Sequence, residues 1–277
     1  MYKYIFIDLD GTLLNDKKEI SEENIKWLNR AYKEKGITSI ITTGRLLGYV
    51  EKLYSRYNCS FGDIIIASNG AIIKNIKTKE YINKEVLTNE EMKYLRGIYL
   101  EENLEYIMIY TEKEIFREGE EKTSLETDKI YVENIEEFLN SYPKTLSTIC
   151  IISGQEKELN KAIKRIESYQ SIDNSPISEY IQKVNNFEIR AKYIDVMKKG
   201  VNKKNAVKKV MDTLGINHDE IIVIGDGGND LPMFEYAKLK IAMENGSDAL
   251  KQKADYITDT NNNDGVAKAI KKLIFNE

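Results

Sequence analysis

MYKYIFIDLDGTLL, residues 1–14, is the stretch that decides the fold. Its apolar run, Tyr4, Ile5, Phe6 and Ile7, delivers two carboxylates, Asp8 and Asp10, and stops at Gly11. A strand with no polar alternation is one buried on both faces, as in a parallel sheet. Acids at i and i+2 lie on the same side of the chain, at the strand's carboxyl end. Open α/β sheets bind their ligands at that end. Two neighbouring carboxylates repel, and burying them unpaired is costly. A divalent cation is the simplest partner, and hard oxygen donors suit Mg2+.

Working outward, Ser21 is a plausible N-cap for a helix with Ile25, Leu28, Ala31 and Tyr32 at helical spacing, stopped by Gly36. Trp27 reads as packing. A strand from Ile37 to Thr42 ends in Thr43-Gly44-Arg45, a helix follows from about Leu46 to Tyr57, and a strand from Ile64 to Ala67 ends in Ser68-Asn69-Gly70. This β-α-β-α-β order predicts a doubly wound parallel sheet. From about residue 83 to 189 the pattern changes to helices and alternating strands, an inserted α+β module. The first pattern then resumes over 190–277. A helix opens at Lys203 with Ala206, Val207, Val210, Met211 and Leu214 on one face, closed by Gly215. The apolar strand Ile221 to Ile224 ends in Gly225-Asp226-Gly227-Gly228-Asn229-Asp230, and Pro232 fits the first turn of a further helix. The expected organisation is a discontinuous α/β core, 1–82 with 190–277, and an α+β insert, 83–189.

Composition removes several classes of function. A net charge of −4 argues against a general binder of nucleic acid or anionic membrane. No apolar stretch approaches the ~20 residues of a membrane span, and no signal-peptide pattern opens the sequence. Cys59 and Cys150 lie far apart and read as reduced thiols of a cytoplasmic protein. The single histidine, His218, sits in the loop G-I-N-H-D-E. Ser-His-Asp, Cys-His and His-rich zinc chemistry are therefore hard to build. Carboxylates, Lys and Arg must do any catalytic work.

Four strand or helix ends offer complementary groups: Asp8 with Asp10, Thr43 with Arg45, Lys203, and Asp226 with Asn229 and Asp230. In that order, with I-D-L-D-G-T-L-L, T-T-G-R, S-N-G-A, G-V-N-K, G-D-G-G-N-D-L-P-M and the late A-M-E-N-G-S-D-A-L-K, the chain resembles the haloacid dehalogenase superfamily, in its Cof-type (subfamily IIB) branch. The resemblance spans essentially the whole chain and is specific in the core; in the insert only size and position match. It implies a Rossmann-like core with an α+β cap that closes over the site and selects the leaving group.

The resemblance also implies roles. Asp8 is the expected nucleophile, forming an aspartyl-phosphate. Asp10 is the expected general acid, then base. Mg2+ is expected on the Asp8 carboxylate, the Asp10 main-chain carbonyl and Asp226, with Asp230 nearby. Thr43 and Lys203 are expected to hold the phosphoryl group, and Gly11 and Thr12 to turn backbone N–H groups toward it. Gly44, Arg45, Asn69 and Asn229 complete the expected phosphate and substrate contacts. Three positions depart from the family pattern. Lys204 stands where Gly is usual, leaving Lys204 as the alternative to Lys203; Gly228 and Asp195 stand where Glu is frequent. The expected activity is Mg2+-dependent hydrolysis of a small phosphorylated metabolite, a sugar phosphate first and a nucleotide or cofactor phosphate next. The alternatives are a phosphotransferase or phosphomutase of the same superfamily, and a non-catalytic binding or regulatory protein on this fold. A monomer or small homo-oligomer without nucleic-acid or membrane partners is expected.

Overall fold

The structure, a computed structural model, describes residues 1–120, 129–142, 147–184 and 187–277. It divides into two compact units: Met1–Lys84 with Asn202–Glu277, and Glu85–Val201.

In chain order the first unit begins with β1 (Tyr4–Ile7), α1 (Glu22–Lys35), β2 (Thr38–Thr42), α2 (Leu47–Tyr57), β3 (Ile64–Ala67), β4 (Ile72–Asn75) and β5 (Tyr81–Lys84). The second unit comprises α3 (Asn89–Glu101), β6 (Tyr106–Tyr110), β7 (Ile115–Gly119), β8 (Lys129–Tyr131), α4 (Ile135–Ser141), β9 (Ile149–Ser153), α5 (Glu156–Glu167), β10 (Ile172–Asn174), β11 (Ser178–Val184) and β12 (Phe187–Lys198). The first unit resumes with α6 (Lys203–Leu214), β13 (Ile221–Gly225), β14 (Leu239–Ala242), α7 (Asp248–Lys251), β15 (Tyr256–Ile257) and α8 (Gly265–Ile270).

The first unit's eight-stranded sheet runs β15-β14-β13-β1-β2-β3-β4-β5. It is parallel from β15 to β3, as the unbroken apolar runs predict, and strand order reverses beside β1. Both faces are covered. Phe6 packs with Ile40, Val223 and the α6 residues Ala206, Val207 and Val210, while Ile5 and Ile7 on the opposite face are also fully buried. Each such side chain contributes about 1.5–3 kcal/mol on burial. The helix ends follow local chemistry: Ser21 Oγ accepts from Asn24 N–H, and Gly36 closes α1 at φ 68°.

Three features differ from expectation. The sheet continues past β3 as an antiparallel hairpin, β4–β5. The segment after Asp230 is a 3-10 helix, Leu231–Tyr236, with Pro232 in its first turn. The insert ends at Val201, not at 189, because β12 keeps its ladder to Lys198: Tyr193–Val196 pair with β9 and Val196–Lys198 with β10.

The second unit's sheet runs β10-β12-β9-β6-β7-β8, with β11 paired to β12. Its pairs are antiparallel except β7–β8. α3, α4 and α5 share one core with Ile107, Ile109, Phe116, Ile152 and Ile194, so the helices cover one face. Cys59 and Cys150 are free thiols. Among the described residues, no helix is long and apolar enough to cross a membrane.

Candidate active site

Sheet register assembles the site. Ile7 pairs with Ile224 on one side and Ile41 on the other, so the residues after β1, β13 and β2 emerge together at the carboxyl edge. Asp8 N–H donates to the Ile224 carbonyl at 3.0 Å, which sets Asp8 beside the Gly225–Asp226 turn. Thr43, buried, follows β2, and its N–H donates to Ile66 O at 2.9 Å. Asn202 caps α6 through Asn205 N–H and thereby aims the buried Lys203 at the same edge.

Lys203 Nζ donates to Asp8 Oδ1 at 2.5 Å and to Asp230 Oδ1 at 2.7 Å. Asp230 Oδ2 accepts from the N–H groups of Asp226 (3.1 Å) and Gly227 (2.9 Å), which fixes the loop. Thr12 Oγ1 donates to Asp226 Oδ1 at 2.9 Å. Gly11 has φ 78°, and a Cβ there would stand 2.3 Å from Asp226 Oδ2, so glycine is required for conformation and for space.

Two carboxylates, Asp8 and Asp230, thus share one ammonium, with Asp226 beside them. Burial opposes the charge on Lys203, but Asp8 and Asp230 outweigh it and hold its pKa above the ordinary value. Burial pushes Asp8 well above the usual carboxylate range against the pull of Lys203, and the Asp230 and Asp226 charges add to the rise. Burial raises Asp226 as well. One oxygen from each of Asp8, Asp226 and Asp230 lies within 4.8 Å of the others. This all-oxygen donor set with excess negative charge fits a hard divalent cation.

The remaining expected residues divide into those near this cluster and those turned elsewhere. The Asp10 carboxylate does not join the three acids. Arg45 grips it as a fork, Nε to Oδ2 at 2.6 Å and Nη2 to Oδ1 at 2.7 Å, and Lys18 Nζ donates to Oδ1 at 2.8 Å. Burial raises its pKa, but these bonds outweigh burial and hold it below the ordinary value. Thr43 Oγ1 accepts from Arg45 N–H at 3.1 Å. Asn69 N–H donates to Thr43 O at 2.9 Å; its backbone is left-handed (φ 54°), and its buried Oδ1 has no partner. Gly44 lies against Asn69, with a built Cβ 3.1 Å from that Oδ1. Asn229 is exposed on the loop between Asp226 and Asp230. Lys204 points away, paired with Glu235 at 2.6 Å, so Lys203 is the lysine at the acids.

Two contributors had no expected role. Lys18 reaches Asp10, and Asn245 Nδ2 donates to Gly11 O at 2.7 Å. The turn-forming segment N-D-K-K, residues 15–18, which ends eight residues past Asp10, was the available signal for Lys18.

Comparison with known proteins gives the family. The family model described as haloacid dehalogenase-like hydrolase matches residues 5–270. A Bacillus subtilis protein named 5-amino-6-(5-phospho-D-ribitylamino)uracil phosphatase YcsE is 30% identical, covering 99% of this chain and 96% of its own. A second protein of that organism with the same activity name, YwtE, is 31% identical over 98% of each chain. A solved haloacid dehalogenase-like hydrolase from Bacteroides thetaiotaomicron superposes with TM-score 0.78 at 30% identity, covering 99% of this chain and all of that one. With the family model matched over nearly its whole length, the chain belongs to the haloacid dehalogenase-like hydrolases, among their phosphatases.

Proposed function

We propose that this protein hydrolyses a small phosphomonoester through an aspartyl-phosphate on Asp8, with Mg2+ as cofactor. The observation that carries the reading is Lys203 bonded to Asp8 within a cluster of three carboxylates, Asp8 and Asp230 buried and Asp226 half-buried. A pure binder has no use for a buried, cation-oriented carboxylate beside a second acid two residues on.

Asp8 attacks phosphorus, the bond to the ester oxygen breaks, and the departing alcoholate takes a proton from Asp10. Water then attacks the same phosphorus, gives a proton to Asp10, and the acyl-phosphate bond breaks to free phosphate and Asp8. Lys203 orients Asp8 and balances phosphoryl charge. Thr43 and the Gly11–Thr12 turn hold phosphoryl oxygens, and Gly44, Arg45, Asn69 and Asn229 line the phosphate and substrate side. Asp8, the Asp10 main-chain carbonyl and Asp226, with Asp230 behind them, would hold Mg2+, whose charge offsets the repulsion between a carboxylate and a phosphate dianion.

A sugar phosphate is the first candidate substrate, with nucleotide and cofactor phosphates next. Support comes from YcsE and YwtE, named for a phosphoribitylamino compound. The α+β unit is proposed as the cap that selects the leaving group. Free thiols at Cys59 and Cys150 support a reducing, cytoplasmic setting.

The test is phosphate release from sugar, nucleotide and cofactor phosphates, with Mg2+ and with excess EDTA, wild type beside Asp8→Asn. Mg2+-dependent release that the variant lacks is the expected result. Release from no compound would move the reading to a phosphotransferase or a binding protein.

A further inference from the structure

Lys18 belongs to none of the expected motifs, yet its ammonium meets the side chain on which proton transfer depends. It sits in a tight turn: Asn15 Oδ1 accepts from the N–H groups of Lys17 and Glu19, both at 3.0 Å, and Lys18 N–H donates to Asn15 O at 2.9 Å. Its backbone is left-handed, φ 61°, which a non-glycine residue adopts only when its surroundings impose it. The side chain is half exposed, at 52%, and ends 2.8 Å from Asp10 Oδ1. Long lysines with this much access to water are ordinarily left to solvent.

The same Oδ1 accepts from Arg45 Nη2, and Arg45 Nε holds Oδ2. The guanidinium also lies over the Tyr49 ring, 4.2 Å from its centroid. Among the described residues two groups therefore hold Asp10, and they differ in what else is asked of them. Arg45 is proposed to contact phosphate or substrate, and turning its fork toward an anion withdraws both of its bonds from Asp10. Among the described residues, Lys18 is then the remaining cation at that carboxylate.

We propose that Lys18 is a positioning residue that keeps Asp10 oriented for proton transfer while Arg45 engages the substrate, an inference that rests on Asp10 as the general acid. Lys18 acts through Asp10, so its effect scales with how far a leaving group needs a proton. A sugar alkoxide needs one; p-nitrophenolate departs without.

The experiment compares kcat/KM, which reports the first phosphoryl transfer, for p-nitrophenyl phosphate and for the best sugar phosphate of the panel. The full chain with Mg2+ is used, as wild type, Asp10→Asn, Lys18→Met, Lys18→Arg and Lys17→Met. Methionine keeps length and backbone strain while removing the charge. Asp10→Asn should lose far more on the sugar phosphate than on the nitrophenyl ester. Lys18→Met should lose about tenfold on the sugar phosphate, a fraction of a general acid's full effect, and less than about twofold on the nitrophenyl ester. Lys18→Arg should recover most of the loss, and Lys17→Met should match wild type. Equal losses on both esters in Lys18→Met would overturn the proposal and make Lys18 a phosphate contact. Wild-type behaviour of Lys18→Met, with Asp10→Asn selective, would also overturn it. An Asp10→Asn variant without selectivity would instead overturn Asp10 as the acid, and the proposal with it.

Discussion

Replacing Lys203 with methionine tests whether the acid cluster is held by one buried cation. Lys203 is 2% exposed and bonds Asp8 and Asp230 at 2.5 and 2.7 Å. At an effective dielectric of about 20, each contact carries about 6 kcal/mol of Coulomb attraction, most of it offset by the desolvation of both charges. Removing one partner leaves the others buried and uncompensated, which costs about 3–5 kcal/mol. Two carboxylates lose their cation here, so the upper end applies. For a chain of this size about 1 kcal/mol moves Tm by roughly 2–4 °C, so a fall of about 10–20 °C is expected in EDTA at neutral pH. The pH dependence has a definite sign. Asp8 is already raised by burial, and losing Lys203 removes what pulls it down. A carboxyl raised in the folded state contributes its stability below the unfolded pKa and loses it as pH rises through the folded one. The deficit should therefore shrink on acidification, and Mg2+ should reduce it at neutral pH. Circular-dichroism melting of both proteins, with EDTA and with Mg2+, reads all three effects. A variant within about 1 kcal/mol of wild type in EDTA, or a deficit indifferent to pH, would refute the reasoning, since uncompensated buried charge costs several times that.

Gly11→Ala should lose about 1–2 kcal/mol from its left-handed backbone and at least about a hundredfold in kcat/KM, because its Cβ displaces Asp226; activity within about twofold of wild type would contradict the close approach. Lys204→Ala removes only a surface pair with Glu235, so melting and turnover should stay near wild type, in contrast to Lys203→Met. Asp195 is pushed up to about 6 by burial, from an ordinary 3.8, so the fold favours its protonated form and loses that contribution as pH rises through about 6. Asp195→Asn should therefore stabilise the fold at neutral pH by up to about 3 kcal/mol of relieved penalty, read as a higher Tm, and give no gain in acid; a gain equal at both pH values would show that charge is not the cause.

The core was legible because its signals are local. An unbroken apolar run followed by Asp8 and Asp10 fixes a buried strand and the functional edge together, and the runs before Thr43 and Asp226 repeat the pattern. The choice between Lys203 and Lys204 stayed open in the sequence, and the packing of α6 separates the two. Lys203, Ala206, Val207 and Val210 form the buried face of α6 at i, i+3, i+4 and i+7, and Lys204 lies off it. The insert's end was not legible. The second half of β12 has the same period as the first, and its pairing with β9 and β10 involves residues far back in the chain. The rotation of Asp10 toward Arg45 and Lys18 was hidden for a similar reason. Spacing fixes where a carboxylate starts, whereas its orientation depends on cations brought in by a turn and by the loop after β2.

In the proposed reaction Asp8 becomes phosphorylated during turnover. Acid quenching of wild-type protein mixed with Mg2+ and the best substrate of the panel, followed by peptide mass spectrometry, tests it most directly. A phosphoryl group on Asp8 within the N-terminal peptide, absent from Asp8→Asn, is the expected result. Steady phosphate release with Asp8 unmodified, or release that survives Asp8→Asn, would contradict it.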